Sequence, residues 1–148
     1  IVIALDTNIL IYAHRRDSTQ SESARRLIRN LAESPHPWAI PWPCIHEFLS
    51  VVTRSRYYTQ PSTMAQAQKQ VDAWLASPSV RTLHESARHW AILSGILAES
   101  KATGSNVHDA KIAAICLAHG VSELLTADVA FAAGDLLRTR DPFGGEVR

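Results

Sequence analysis

Four acidic residues define the chemistry this chain could perform. Asp6 directly follows an apolar run over residues 1–5, and Glu47 begins an apolar-striped segment after Pro41 and Pro43. Asp109 begins a second such segment, and Asp128 stands two residues past the run 123–126. Carboxylates gathered in one place repel, which raises their pKa values unless a cation neutralises them. Oxygen donors without cysteine partners, in a site open to water, suit Mg²⁺ or Mn²⁺ better than a structural zinc. Such a site activates water and stabilises the charge that develops at a scissile phosphate, so no Ser or Cys nucleophile is required.

Each acid also has an ordinary explanation. Acids are favoured in the first turn of helices, where the backbone dipole stabilises them by about 0.3–1 kcal/mol, and this would account for Glu47 or Asp109 taken singly. Turn formation or capping would account for Asp6 or Asp128.

The elements that must position these side chains are legible from periodicity. Residues 1–5 form a continuous apolar run, the pattern of a strand buried on both faces of a parallel sheet. After a turn-rich patch, Ala24, Leu27, Ile28 and Leu31 recur at helical spacing, with Arg25, Arg26 and Arg29 opposite them. Trp38 to Ile40 predicts a short strand closed by Pro41 and Pro43, and a helix begun by Glu47 carries Phe48, Leu49 and Val52. Pro61 and Ser62 precede a helix with Ala67, Val71, Trp74 and Leu75 on one face, terminated at Ser77 and Pro78. Val80 to Leu83 reads as a third strand. A helix bearing Trp90, Leu93, Ile96 and Leu97 should end at Gly104, a further helix spans about 107–118 before Gly120, and residues 123–126 form a fourth strand.

Strands alternating with helices imply right-handed crossovers, and hence a three-layer α/β/α sandwich with a mostly parallel central sheet. Ligands of such sheets bind beyond the carboxyl ends of the strands, where Asp6, Glu47, Asp109 and Asp128 are all expected to lie. The helix opened by Asp109 is apolar nearly all round, so an unpaired carboxylate there would be costly.

Composition bounds the answer. The 148 residues suffice for one domain, 1–148, and 46% hydrophobic against 20% charged residues describes a globular chain. No apolar stretch approaches the roughly 20 residues that span a bilayer. The opening segment lacks the basic and apolar regions of a signal peptide, so the expected location is the cytoplasm. Cys44 and Cys116 are far apart and in apolar contexts, as buried free thiols would be. A net charge of +1 neither demands nor excludes a nucleic-acid partner.

Other side chains near these acids or in charged and aromatic clusters have competing readings. His46 and His108 each precede a proposed ligand, but adjacent helix residues diverge by about 100°, so both are expected to point elsewhere. Lys111 is likewise expected to be a surface residue. Arg15, Arg16, Arg25, Arg26 and Arg29 could hold RNA phosphates, against the plainer reading of a solvated helix face. Trp74 and Trp90 lie on apolar stripes and are expected in the core, while Trp42, beside two prolines at the rim, could stack on a base.

The segments Leu5-Asp6-Thr7-Asn8-Ile9-Leu10, Pro41-Trp42-Pro43 followed by Glu47-Phe48-Leu49, Val107-His108-Asp109-Ala110, and Thr126-Ala127-Asp128 with Phe131 resemble, in order, the motifs of PIN domains. The similarity is greatest to VapC toxins of bacterial toxin-antitoxin pairs, and it runs to about Leu137. The resemblance implies that Asp6, Glu47, Asp109 and Asp128 bind Mg²⁺ or Mn²⁺, with Asn8 and Thr126 orienting ligands or water from behind. It implies an endoribonuclease that cuts a structured RNA, often a transfer or ribosomal RNA, silenced by a cognate VapB-like antitoxin and commonly homodimeric. One departure is Ala130, where many relatives carry another acid, which weakens the second metal position. Haloacid dehalogenase-like phosphatases also begin with an apolar strand and an Asp, but they need a second Asp where Asn8 stands. A degenerate PIN-like module that binds RNA or protein without catalysis is the remaining alternative.

Overall fold

A parallel sheet organises the chain. In the computed structural model, which describes residues 1–128, 130–131 and 136–144, its strands are β1 (Ile3–Leu5), β2 (Trp38–Pro41), β3 (Val80–Leu83), β4 (Glu123–Leu125) and β5 (Thr139–Arg140). They lie in the order β3-β2-β1-β4-β5, and every pairing is parallel. Ala4 sits opposite Ala39 on one side and Leu124 on the other. Residues 129, 132–135 and 145–148 of the expected domain lie outside the described residues.

The helices are α1 (Thr7–His14), α2 (Ser21–Glu33), α3 (Trp42–Val52), α4 (Met64–Leu75), α5 (His89–Ser100) and α6 (Asn106–Ala118). From β1 through β2 to β3 the chain steps one way along the sheet, so right-handed crossovers put α1 to α4 on one face. The return from β3 to β4 runs the other way and puts α5 and α6 on the opposite face. The packing agrees: α1 lies on α2 and α3, α3 on α4, and α5 on α6. The three-layer α/β/α expectation therefore holds, and the sheet is parallel throughout.

The direction of travel reverses between β1 and β4, which makes the crevice beyond their carboxyl ends the place where this topology opens a ligand site. Leu5, Ile9, Leu10, Trp38, Phe48 and Leu124 are fully buried in the core. Among the described residues, no helix is long and apolar enough to cross a membrane.

Four expectations need correction. The patch after Asp6 is helix α1, whose Ile9, Leu10 and Ala13 are buried while Ile11 and Tyr12 are half-buried against the core; a helix apolar on most sides has no clear stripe to read. Helix α3 starts at Trp42, with Pro43 in its first turn, where a missing N–H costs nothing. Glu47 therefore sits in the second turn, and the dipole explanation for it falls away. Helix α5 ends at Ser100 with Lys101 in the left-handed region (φ 56°), ahead of Gly104. Trp90, expected in the core, is 70% exposed, because α5 buries Ile96 and not its first turn. The two-residue β5 was too short to show a pattern.

Candidate active site

Asp6 is the centre of the site. It follows β1 and its N–H donates to the Leu125 carbonyl at 3.0 Å, locking it to the end of β4. Its side chain is the N-cap of α1: Oδ1 accepts from the Thr7 N–H at 2.8 Å and faces the Cys44 thiol at 3.8 Å. Oδ2 accepts from Thr126 Oγ1 at 2.8 Å. The capping role considered for Asp6 is thus real, and it leaves the carboxylate 8% exposed at the strand end. Burial raises its pKa above the ordinary carboxyl value; the Thr126 and Thr7 hydrogen bonds oppose this, and the negative charges of Asp109 and Glu47 add to it.

Thr126 and Asn8 hold this arrangement together. Thr126 Oγ1, while donating to Asp6, accepts from Asn8 Nδ2 at 3.1 Å and from the Asp128 N–H at 3.1 Å. Asn8 Oδ1 accepts the Ala127 N–H at 3.0 Å. One amide side chain therefore staples the turn after β4 to the first turn of α1.

Asp6, half-buried Asp109 and exposed Glu47 line one cleft of about 740 Å³ between α3 and α6. Asp128 does not line it. Its Oδ1 folds back to accept the Ala130 N–H at 2.9 Å, as Asp does in a tight turn, and the side chain is exposed. Asp128 reaches Asp6 only through Thr126 Oγ1. Three of the four predicted acids are brought together, and the fourth stands beside them. Among the described residues, no three His, Cys, Asp or Glu side chains close around a single point as metal ligands.

The donor chemistry nonetheless suits a hard cation. The cleft's fixed charges are the carboxylates of Asp6, Glu47, Glu85 and Asp109 against the single ammonium of Lys111. A carboxylate whose pKa is raised first by burial, and further by its neighbours' charge, is one that a divalent ion would return to its ionised form.

His46, His108 and Lys111 were expected to point away, yet all line this cleft, as do His84 and Trp42. The cleft is wide enough that side chains about 100° from the acids still face it. His84 follows β3 directly, so the carboxyl-end rule that located Asp6 would have located it too.

The basic stretch lies elsewhere. Arg15 pairs with Asp17 at 2.7 Å and lies 3.9 Å over the Tyr58 ring, and Arg25 pairs with Glu22 at 2.8 Å. None of the five arginines lines the acidic cleft. Cys44 and Cys116 are buried free thiols as expected, with burial pushing Cys44 up and Cys116 up to about 12.

A sequence profile of the PIN domain matches residues 3–136. The chain belongs to the PIN-domain family. Within it, this PIN domain is similar to the Mycobacterium tuberculosis protein named ribonuclease VapC43, at 34% identity over 99% of both chains. It is also similar to ribonuclease VapC48 of the same organism, at 26% identity over 95% of this chain and 97% of the relative. Among solved structures, VapBC2 from Rickettsia felis, bound to a DNA fragment from its promoter, superposes with a TM-score of 0.69 at 20% identity, covering 95% of this chain and 98% of that one. M. tuberculosis VapC20, described as a sarcin-ricin loop cleaving toxin, superposes with a TM-score of 0.66 at 19% identity over 94% and 99% of the two chains. At these identities the structures speak for the fold, and the fold is that of the PIN domain.

Proposed function

We propose that this PIN domain is a VapC-type endoribonuclease toxin that hydrolyses RNA phosphodiester bonds with Mg²⁺ or Mn²⁺ in the cytoplasm, and that a VapB-like antitoxin silences it. The observation that carries the reading is the placement of Asp6, Glu47 and Asp109 in one cleft whose fixed charge is strongly negative. RNA phosphates would be repelled from such a cleft unless cations were held there.

Asp6, Glu47 and Asp109 would hold the ion, with Asp128 as an outer partner at the rim, tied to Asp6 through Thr126. When bound, Mg²⁺ or Mn²⁺ supplies Lewis acidity and water of lowered pKa. The chain's own part is positional. Thr126 and the Thr7 N–H fix both oxygens of Asp6, Asn8 fixes Thr126, and Ile112 and Ile115 add apolar surface to the cleft. Lys111 is placed to meet a phosphate oxygen as a point charge.

RNA cleavage is supported by the relative named ribonuclease VapC43, the antitoxin by the VapBC2 neighbour, and a structured RNA target, taken here as a transfer or ribosomal RNA, by the neighbour described as a sarcin-ricin loop cleaving toxin. A homodimer is supported by α5, which leaves the large apolar side chain of Trp90 70% exposed.

The test is cleavage of structured RNA by the purified chain with Mg²⁺ or Mn²⁺, with EDTA, and with Asp109→Asn. Cleavage lost with EDTA and with the variant is the expected result. Cation binding without any cleavage would instead mark a PIN-like RNA-binding module, and full cleavage by the folded variant would end the assignment.

A further inference from the structure

One wall of the acidic cleft is aromatic, and the nuclease chemistry does not use it. Trp42 and His46 stand one turn apart on the same side of α3, with ring centroids 6.1 Å apart and planes inclined by 32°. Both line the cleft, Trp42 half-buried and His46 exposed, and Pro43 and Ile112 extend the wall with apolar surface. Its position relative to the acids is fixed, because Cys44, two residues from Trp42, lies 3.8 Å from Asp6 Oδ1.

We infer that this wall, Trp42 with His46, is a stacking platform for an unpaired nucleobase next to the scissile phosphate. The inference rests on the nuclease reading for the identity of the ligand. The charge distribution carries the rest. Carboxylates dominate the floor, so phosphate attraction alone cannot seat RNA there, whereas an indole and an imidazole take any base through its π-face. Bases inside a continuous A-form helix have both faces covered by their neighbours and cannot reach such a wall; a nucleotide in a loop, bulge or single strand can. Trp38 and Trp74 are buried and Trp90 lies on α5 outside the cleft, so among the described tryptophans Trp42 is the one that meets it.

The test measures binding separately from cleavage. In the full chain carrying Asp6→Asn, affinity is measured for a single-stranded RNA oligonucleotide, the same strand with abasic central nucleotides, and the strand annealed to its complement. Adding Trp42→Ala should weaken the single-strand complex about 10- to 100-fold, while Trp42→Phe should retain most of the affinity and the abasic strand should bind all variants alike. His46→Ala should produce a smaller loss in the same direction, and thermal melting checks that each variant is folded. Equal single-strand affinity with and without the Trp42 ring overturns the inference. So do an equal loss on the abasic strand, duplex binding as tight as single-strand binding, and no measurable RNA binding at all. An effect of Trp42→Ala confined to antitoxin binding would make the wall a protein contact and overturn it as well. Cleavage by the unsubstituted chain with Mg²⁺ reads the nuclease assignment on its own: a stacking effect without cleavage leaves the platform standing and removes the nuclease.

Discussion

Thr126 Oγ1 donates to Asp6 Oδ2 across 2.8 Å, joining the ends of two neighbouring strands that are separated by 120 positions in sequence. The hydroxyl is buried and also accepts from Asn8 and from the Asp128 N–H, so three segments depend on one oxygen. Thr126→Val keeps the shape and removes all three bonds. It should lower RNA cleavage about 10- to 100-fold, the usual cost of losing a group that orients a metal ligand. The fold should lose about 1–3 kcal/mol, since Asp6 keeps a buried oxygen without its donor. Steady-state cleavage and urea unfolding check the two numbers; unchanged cleavage would reduce Thr126 to a structural residue.

Asp6 should weaken the fold at neutral pH in the absence of a cation. Its folded pKa is raised, first by burial, so the folded chain binds more protons than the unfolded one between the ordinary carboxyl value of about 3.9 and the raised value. Stability therefore falls as pH rises through that window and stays lower above it. Asp6→Asn should melt higher than the unsubstituted chain at pH 7, and the difference should vanish as pH drops below about 3.9. Thermal melts of the two chains across pH provide the check, and Asp6→Asn melting lower at pH 7 would contradict it. Mg²⁺ at 100 times its Kd should stabilise the unsubstituted chain by about 2.7 kcal/mol and the variant by much less.

Asp109 and Asp128 should differ in weight. Asp109 lines the cleft with Asp6 and Glu47, whereas Asp128 turns its carboxylate to the Ala130 N–H. Asp109→Asn is expected to bring cleavage below detection, and Asp128→Asn to reduce it by about 10- to 100-fold, as for an outer partner. Equal, complete loss in both would mean that Asp128 swings into the cleft when the ion binds, which metal titration of each variant would register.

Phe48 ties α3 to the core beneath the site. Its ring is fully buried, 5.0 Å from Trp74 and 5.2 Å from His14, edge to face in both cases. Phe48→Ala should cost about 3–5 kcal/mol, a large share of the roughly 5–15 kcal/mol that stabilises a domain. Urea unfolding measures it, and a loss under about 1 kcal/mol would mean that α3 is held mainly by other contacts.

What the sequence determined by itself was the set of strands β1 to β4, the amphipathic helices α2 and α4, and the acids waiting at strand ends. These are local properties: an apolar run stops where its backbone leaves the sheet, and a helix with one wet face repeats every three to four residues. Tertiary structure decided the rest. Helices α1 and α5 are apolar on several sides, so their sequences hold no phase, and packing alone chose to bury Ile9 and Ile96 while leaving Trp90 in water. Asp128 left the cleft because its turn offered a backbone N–H. Trp42, His46, His84 and Lys111 entered it because α3, α6 and the end of β3 converge from distant parts of the chain. A side chain's direction relative to a cleft depends on how whole elements are oriented against one another, and no local repeat encodes that orientation.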